Sequence, residues 1–256
     1  MDVLQKALEI TKAKYGAYQI QIHGPHTTIK RAVMEVHSGT TINTFMAITT
    51  PEWEEKTIPI RIPVRRGVLN YRLLSIHKDQ KDIFLNIKTI DDLKQLTAGL
   101  RIGWATSKLL DEQSFNIFQA NTLDGLYHML LTQRINYIPR GPNEIYNELA
   151  LRKSSHPGLM VEPTLALYIP APYYIFISPK EPKLAKRIQE GLEMMVENGD
   201  LKAIFYRYYA EYIQAAKLMD RKIIQIGNPL LPKDTPLNRK ELWFENDELL
   251  LNGKNH

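Results

Sequence analysis

Cysteine is absent from all 256 residues. That excludes disulfides, thiol nucleophiles and thiolate-bound zinc. No apolar run approaches the roughly 20 residues that cross a bilayer; the stretch from Leu165 to Ile177 is broken by Pro170 and Pro172. Gly-x-Ser-x-Gly, the Walker loop and Gly-x-Gly-x-x-Gly are missing, so the common hydrolase and nucleotide-binding signatures are not available. Met1 to Ile10 lacks the charged start, apolar core and small-residue cleavage site of a signal peptide. The chain is therefore expected either to be cytoplasmic or to be written without an export signal. Lys and Arg outnumber Asp and Glu by 33 to 28. They are scattered, with no dense basic run interleaved with aromatics, so no nucleic-acid partner is expected. His23 and His26 flank Gly24-Pro25 without a further ligand at metal spacing, and neither a metal nor a cofactor is expected.

What is present is an ordinary globular composition, 44% apolar and 24% charged. The length suits one large domain or two modest ones. Val3, Leu4, Ala7, Leu8 and Thr11 follow helical spacing and Gly16 ends the segment. Tyr18, Ile20 and Ile22 alternate with polar residues and predict a strand stopped by Gly24-Pro25. Thr27 or Thr28 caps a helix with the apolar face Ile29, Ala32, Val33 and Val36, closed by Gly39. Thr41 to Ile48 reads as a strand. This helix–strand alternation is the rhythm of a parallel sheet covered by helices.

Pro51 to Gly67 reads as a loop followed by an extended edge segment, with Ile58, Ile60, Ile62 and Val64 alternating. Strands are expected at Tyr71–Ile76, Leu100–Trp104, Asn116–Phe118, Ile135–Ile138, Met160–Ile169 and Tyr173–Ser178. Helices are expected from Asp91, after a cap at Thr106 or Ser107, after Asn121 or Thr122, and around Ile145 and Leu149. Two more follow, with stripes Leu184, Ile188, Leu192, Met195 and Leu201, Ile204, Phe205, Tyr208, Tyr212, separated by an Asn198-Gly199-Asp200 turn. The proline-rich tail from Asn228 to Phe244 is expected to wrap over the body, anchored at Leu230, Leu231, Leu242 and Trp243.

The order of these pieces resembles the family 3 solute-binding proteins, a type II periplasmic-binding fold. The likeness is carried by Arg31 to Thr40, Ile48-Thr49-Thr50-Pro51-Glu52, Ile90 to Lys94, Ile102 to Ser107, Tyr173-Tyr174-Ile175-Phe176 and Glu190 to Phe205. It covers about Asp2 to Tyr212. The segments Ile60 to Pro63 and Pro139-Arg140 resemble one branch of that family. The resemblance implies an α/β fold of two lobes, each a mostly parallel sheet flanked by helices. Lobe I is expected at 1–77 plus 172–256, with a wrapping tail from about 222, and lobe II at 78–171. Family members have a strand ahead of the first helix, whereas here Met1 stands at that helix. It further implies reversible binding of a small solute in the inter-lobe cleft, no catalysis, a monomer, a membrane transporter or receptor component as partner, and a periplasmic or extracytoplasmic setting.

Ligands in such folds sit at the carboxyl ends of strands, near helix starts. Thr106 and Ser107 are candidates for holding an anionic group there. Thr49 and Thr50 match cleft-facing donors of the family. Where amino-acid binders place a clamping arginine, this chain has Trp53, which can stack on a ring or cation but cannot make a bidentate ion pair. Where an aspartate holds the ligand's ammonium, the chain has Asn136, and Arg140 follows as a candidate anion partner. With both clamps lost, an anionic or aromatic solute is expected rather than a zwitterionic amino acid. An enzyme on the same fold and a scaffold with a vestigial cleft are the alternatives.

Overall fold

The computed structural model describes residues 1–24 and 28–245. Pro25, His26 and Thr27 lie outside them, so the expected Gly24-Pro25 stop and the His23–His26 pair are not described further. In chain order the elements are α1 (Asp2–Ile10), α2 (Lys12–Tyr15), α3 (Ile29–Ser38), β1 (Thr44–Ile48), α4 (Pro51–Lys56), β2 (Ile58–Ile60), β3 (Tyr71–His77), α5 (Lys81–Leu85), α6 (Ile90–Lys94), β4 (Ala98–Arg101), α7 (Ala105–Glu112), β5 (Ile117–Ala120) and α8 (Leu123–Leu131). There follow β6 (Ile138–Arg140), α9 (Pro142–Arg152), β7 (Leu159–Val161), β8 (Leu165–Tyr168), β9 (Tyr173–Ile177), α10 (Pro182–Glu197), α11 (Asp200–Ala216) and β10 (Lys222–Gln225). No helix among the described residues is long and apolar enough to cross a membrane.

The chain divides into two compact units. Unit 1 takes Met1–Gly67, Ala171–Tyr208 and Leu230–Phe244; unit 2 takes Val68–Pro170, Tyr209–Pro229 and, as its last described residue, Glu245. Beyond single residues at Ala171 and Glu245, the boundaries differ from those expected at two places. β3, expected in lobe I, belongs to unit 2 because it pairs with β6, β7 and β8 of that unit. Residues 209–229 also belong to unit 2, because β10 extends its sheet alongside β8.

In unit 1, β9 runs between β1 and β2 and is antiparallel to both. On one face, Leu4, Ala7 and Leu8 of α1 meet Ile188, Leu192 and Met195 of α10, with Ile175 and Ile177 of β9 and with Leu242 and Trp243 from the tail. Gly191 makes this approach possible: a Cβ built there would lie 2.9 Å from Ala7 Cα and closer still to its carbonyl oxygen. On the other face, Ala32, Val33 and Val36 of α3 pack with Trp53, Tyr174 and Phe176. Thr28 caps α3 by accepting the Arg31 N–H at 3.2 Å, and Gly39 ends it in the left-handed conformation. Two local expectations fail here. Tyr18–Ile22 forms no strand, and Ile22 is 81% exposed. Pro51–Lys56 is a helix and not a loop, because Thr50 caps it and Pro51 sits at its first position, where a missing N–H costs nothing.

In unit 2, β3 is central: it is antiparallel to β6, β7 and β8, while β10 and β8 are parallel. A separate parallel pair joins β4 to β5, and Ala98 bridges Tyr137 in parallel. The helix-flanked α/β class holds, but the sheets are mixed and not mostly parallel. The reason is β3 and β9, which each run against their neighbours. The expected strand Met160–Ile169 is two, because Glu162 turns the chain: its carboxylate accepts the Thr164 N–H at 2.9 Å and the Thr164 hydroxyl at 2.6 Å. Leu74, Ile76, Leu100, Leu110, Leu167 and Ile224 form the main core.

Candidate functional site

The candidate residues fall into two groups, one in each unit. In unit 1, Thr49, Thr50 and Trp53 lie on the turn from β1 into α4. The Thr50 hydroxyl accepts the Trp53 N–H at 3.3 Å, the bond of a helix N-cap. The Thr49 hydroxyl donates to Glu54 Oε1 at 2.7 Å, and Arg61 Nη2 donates to Glu54 Oε2 at 2.6 Å. Trp53 is 1% exposed. Its ring stacks 5.6 Å from Phe45 and 4.8 Å from Phe176. At that burial no face of the ring is open to a ligand; the apolar α3 face and the two phenylalanines hold the indole in the core, where the sequence led to the expectation of a ligand-stacking ring.

In unit 2, Arg140 ends β6, and Gly141-Pro142 opens α9 directly after it. Glu144, in the first turn, accepts the Gly141 N–H at 2.8 Å. Glu148 stands one turn further on, on the same helix face. The Arg140 side chain reaches back along that face. Its Nε donates to Glu148 Oε1 at 3.1 Å and Oε2 at 2.9 Å, Nη2 donates to Glu148 as well, and Nη1 lies 3.4 Å from Glu144 Oε2. Arg72 Nη1 approaches the same Glu144 oxygen at 3.7 Å. The Tyr127 hydroxyl donates to Glu148 Oε2 at 2.8 Å and lies 3.3 Å from Ser75 Oγ.

Two guanidinium groups and two carboxylates thus balance. Burial alone would lower the pKa of Arg140, but the bonds to Glu148 and the charges of Glu144 and Glu148 outweigh it and raise it. Burial, followed by the Glu148 charge, pushes the Tyr127 phenol well above its ordinary value, so it stays a donor. Arg140 was expected to serve as the anion partner of a ligand. In the structure Arg140 is 8% exposed and belongs to an internal ion network with Glu144 and Glu148.

The start of α7 adjoins this network. Arg140 lies 4.4 Å above the Trp104 ring, and Trp104 is the residue from which α7 begins. Neither Thr106 nor Ser107 caps the helix; they are its second and third residues, and no side chain caps it. The Ser107 N–H donates to Trp104 O at 3.0 Å, while the Ala105 and Thr106 N–H groups donate to nothing among the described residues. The Ser107 hydroxyl is buried without a hydrogen-bond partner. Partial positive charge, two N–H donors without a partner among the described residues and a buried hydroxyl without one thus belong to one turn. The structure places Arg140 in unit 2 with Thr106 and Ser107, against Trp104 just ahead of them, and places Thr49, Thr50 and Trp53 in unit 1. Glu148, Trp104, Tyr127, Arg72 and Ser75 were not singled out from the sequence. The i,i+4 spacing of Glu144 and Glu148 after a Gly-Pro start, four and eight residues beyond Arg140, was the available signal.

No protein-family model matches the chain, and no curated protein matches it. Solved structures do. An ancestral arginine-binding protein bound to arginine superposes with a TM-score of 0.56 at 16% identity, covering 80% of this chain and 85% of that one. The GluR0 ligand-binding core in complex with L-glutamate gives 0.56 at 14% identity, covering 81% and 87%. The substrate-binding protein of an amino acid ABC transporter gives 0.54 at 13% identity, covering 82% and 86%. The chain has the periplasmic-binding-protein-like fold that these structures share.

Proposed function

We propose that a protein of this fold, with this first turn of α7, is a reversible receptor for a small anionic solute, belongs with the family 3 solute-binding proteins, and works in transport or sensing outside the cytoplasm with a membrane transporter or receptor component. The observation that carries the reading is the start of α7, where the Ala105 and Thr106 N–H groups and the Ser107 hydroxyl have no hydrogen-bond partner among the described residues. A carboxylate there gains charge-assisted hydrogen bonds and the favourable end of the helix dipole. The network around Arg140 and Trp104 holds that turn in place. An aromatic solute is less well supported than an anionic one, since the faces of Trp53 are covered. Enzymatic chemistry finds little support in the same residues. Arg140, Glu144, Glu148 and Tyr127 bond to one another, and none pairs with a nucleophile as a base would.

Thermal-shift titration with a panel of small mono- and dicarboxylates, arginine, glutamate and small amines tests the proposal. A binder at a hundred times its Kd adds about 2.7 kcal/mol to the stability of the folded chain. The expected result is a shift with at least one carboxylate that shrinks in Ser107→Ala. That variant should keep its own stability within about 0.5 kcal/mol or gain slightly, because the hydroxyl removed has no partner. Silence across the whole panel sinks the receptor reading. A shift that Ser107→Ala leaves untouched moves the site away from α7.

A further inference from the structure

The chain has thirteen arginines. All but two bring their guanidinium to a carboxylate or a backbone carbonyl of the chain itself. The two are Arg134 and Arg65. Arg134 is exposed, and water meets its charge. Arg65 is half-buried. Its guanidinium carbon lies 3.9 Å from the centroid of the Tyr173 ring, and its N–H groups reach no carboxylate or carbonyl among the described residues.

The backbone around Arg65 is held from several sides. Pro63 restricts the chain ahead of it, and the chain then turns through Arg66 and Gly67, both left-handed at φ 43° and 74°. The Arg66 N–H donates to Pro63 O at 2.8 Å and closes the turn. The Val64 N–H donates to Tyr173 O at 3.0 Å, which ties the turn to the first residue of β9. The Phe244 N–H donates to Arg66 O at 2.6 Å, and Arg66 Nη2 donates to Trp243 O at 2.7 Å. Tyr173 is itself placed by Ile48, its partner at the end of β1. A left-handed arginine is strained, and such a residue persists only where its surroundings over-determine it. Arg65 is therefore presented on a fixed turn, over a ring that is fixed as well.

A guanidinium drawn partly out of water loses hydration that an anion restores. Lying over a phenol ring offsets part of that loss and leaves the N–H edge to a further partner. We propose that Arg65, seated on Tyr173, is an anchor for a small oxyanion from solution, a carboxylate or a phosphate. The planar fork of N–H groups matches either one through two parallel hydrogen bonds. Arg65 and Tyr173 both lie within unit 1, and their role is independent of the α7 turn in unit 2.

The test follows the Arg65 Nε–H resonance of the full chain, identified by its loss in Arg65→Lys. Acetate, inorganic phosphate and chloride are titrated at constant ionic strength. The resonance should move to saturation with acetate or phosphate at a concentration about tenfold below any response to chloride. Tighter binding of acetate assigns a carboxylate ligand, and tighter binding of phosphate a phosphorylated one. The Val64 amide, bonded to Tyr173 O, is the reporter in the variants. Arg65→Lys keeps the charge but loses the fork, and should weaken binding about tenfold. Tyr173→Leu removes the ring beneath the guanidinium and should weaken it about threefold. Ser107→Ala should leave the curve unchanged, which separates this anchor from the α7 turn. Equal responses to all three anions would reduce Arg65 to ordinary surface charge and overturn the assignment. So would an Nε–H resonance that no anion moves, or an Arg65→Lys chain that binds as tightly as its parent.

Discussion

Removing Glu148 should expose what Arg140 does. Arg140 is almost fully buried, and Glu148 receives its Nε and Nη2. In Glu148→Met the guanidinium keeps Glu144, 3.4 Å from Nη1, but loses its bidentate partner, and the Tyr127 hydroxyl loses its acceptor at 2.8 Å. Breaking a buried pair from one side costs about 3–5 kcal/mol. Arg140→Met should cost nearly as much, because it leaves two carboxylates facing each other around an apolar stem. The double variant removes both charges together and should be no worse than either single variant, giving a coupling of about 3 kcal/mol. At a urea slope near 2 kcal/mol/M, each single variant loses about 1.5–2.5 M in midpoint. The titration is read from the fluorine resonance of fluorotryptophan at Trp104, which lies under the Arg140 guanidinium at 4.4 Å. Strictly additive single variants would refute the network. So would an Arg140→Met chain that keeps its midpoint yet loses all response to solute, which would restore Arg140 as the ligand's clamp.

Three further outcomes are expected. Trp53→Ala should cost about 3–5 kcal/mol in unit 1, since a fully buried indole between two phenylalanine rings leaves a cavity; a loss below about 1 kcal/mol would place the ring elsewhere. Gly191→Ala should cost about 1–3 kcal/mol by driving α1 off α10, and the loss should appear as increased amide exchange in α1. The Asp92 carboxyl is held below its ordinary 3.8 first by the Lys88 N–H bond and then by the hydrogen bonds of Thr89. A group whose folded pKa is depressed stabilises above the unfolded value, and the gain is lost as pH falls through the folded one. The protection of the Lys88 and Thr89 amides, taken relative to the intrinsic exchange rate at each pH, should therefore fall as pH drops below the ordinary carboxylate range. In Asp92→Asn that pH dependence of protection should vanish, and its persistence there would assign the effect to another group.

Elements fixed by their own residues were legible in the sequence. Thr28 before a 3.6-residue stripe and Gly39 after it mark α3, and Thr122 marks α8 in the same way. Elements fixed by a distant partner were not. Tyr18–Ile22 has the alternation of a strand but pairs with no strand among the described residues, and alternation alone does not supply one. β3 reads as a strand, but its place in unit 2 depends on Arg140, Ile138 and Val161, which lie far along the chain. The same limit governs the site. The sequence shows that Arg140 is a cation after a strand; the Glu148 carboxylate that consumes its charge is a matter of side-chain packing. Trp53 likewise reads as a cleft aromatic until Phe176, over a hundred residues away, covers one of its faces.

The core of unit 1 joins residues far apart in sequence: Leu4 and Trp243 share one apolar cluster, and Arg66 Nη2 donates to Trp243 O at 2.7 Å. On a ribosome Leu4 waits through more than two hundred further residues before Trp243 emerges. Unit 1 cannot finish folding until its third segment, Leu230–Phe244, is made; unit 2 has most of its residues in one stretch, Val68–Pro170, and waits only for Tyr209–Pro229 to add β10. A chaperone that shields nascent apolar surface should accordingly engage the α1 stripe of Leu4, Ala7 and Leu8 early and release it late.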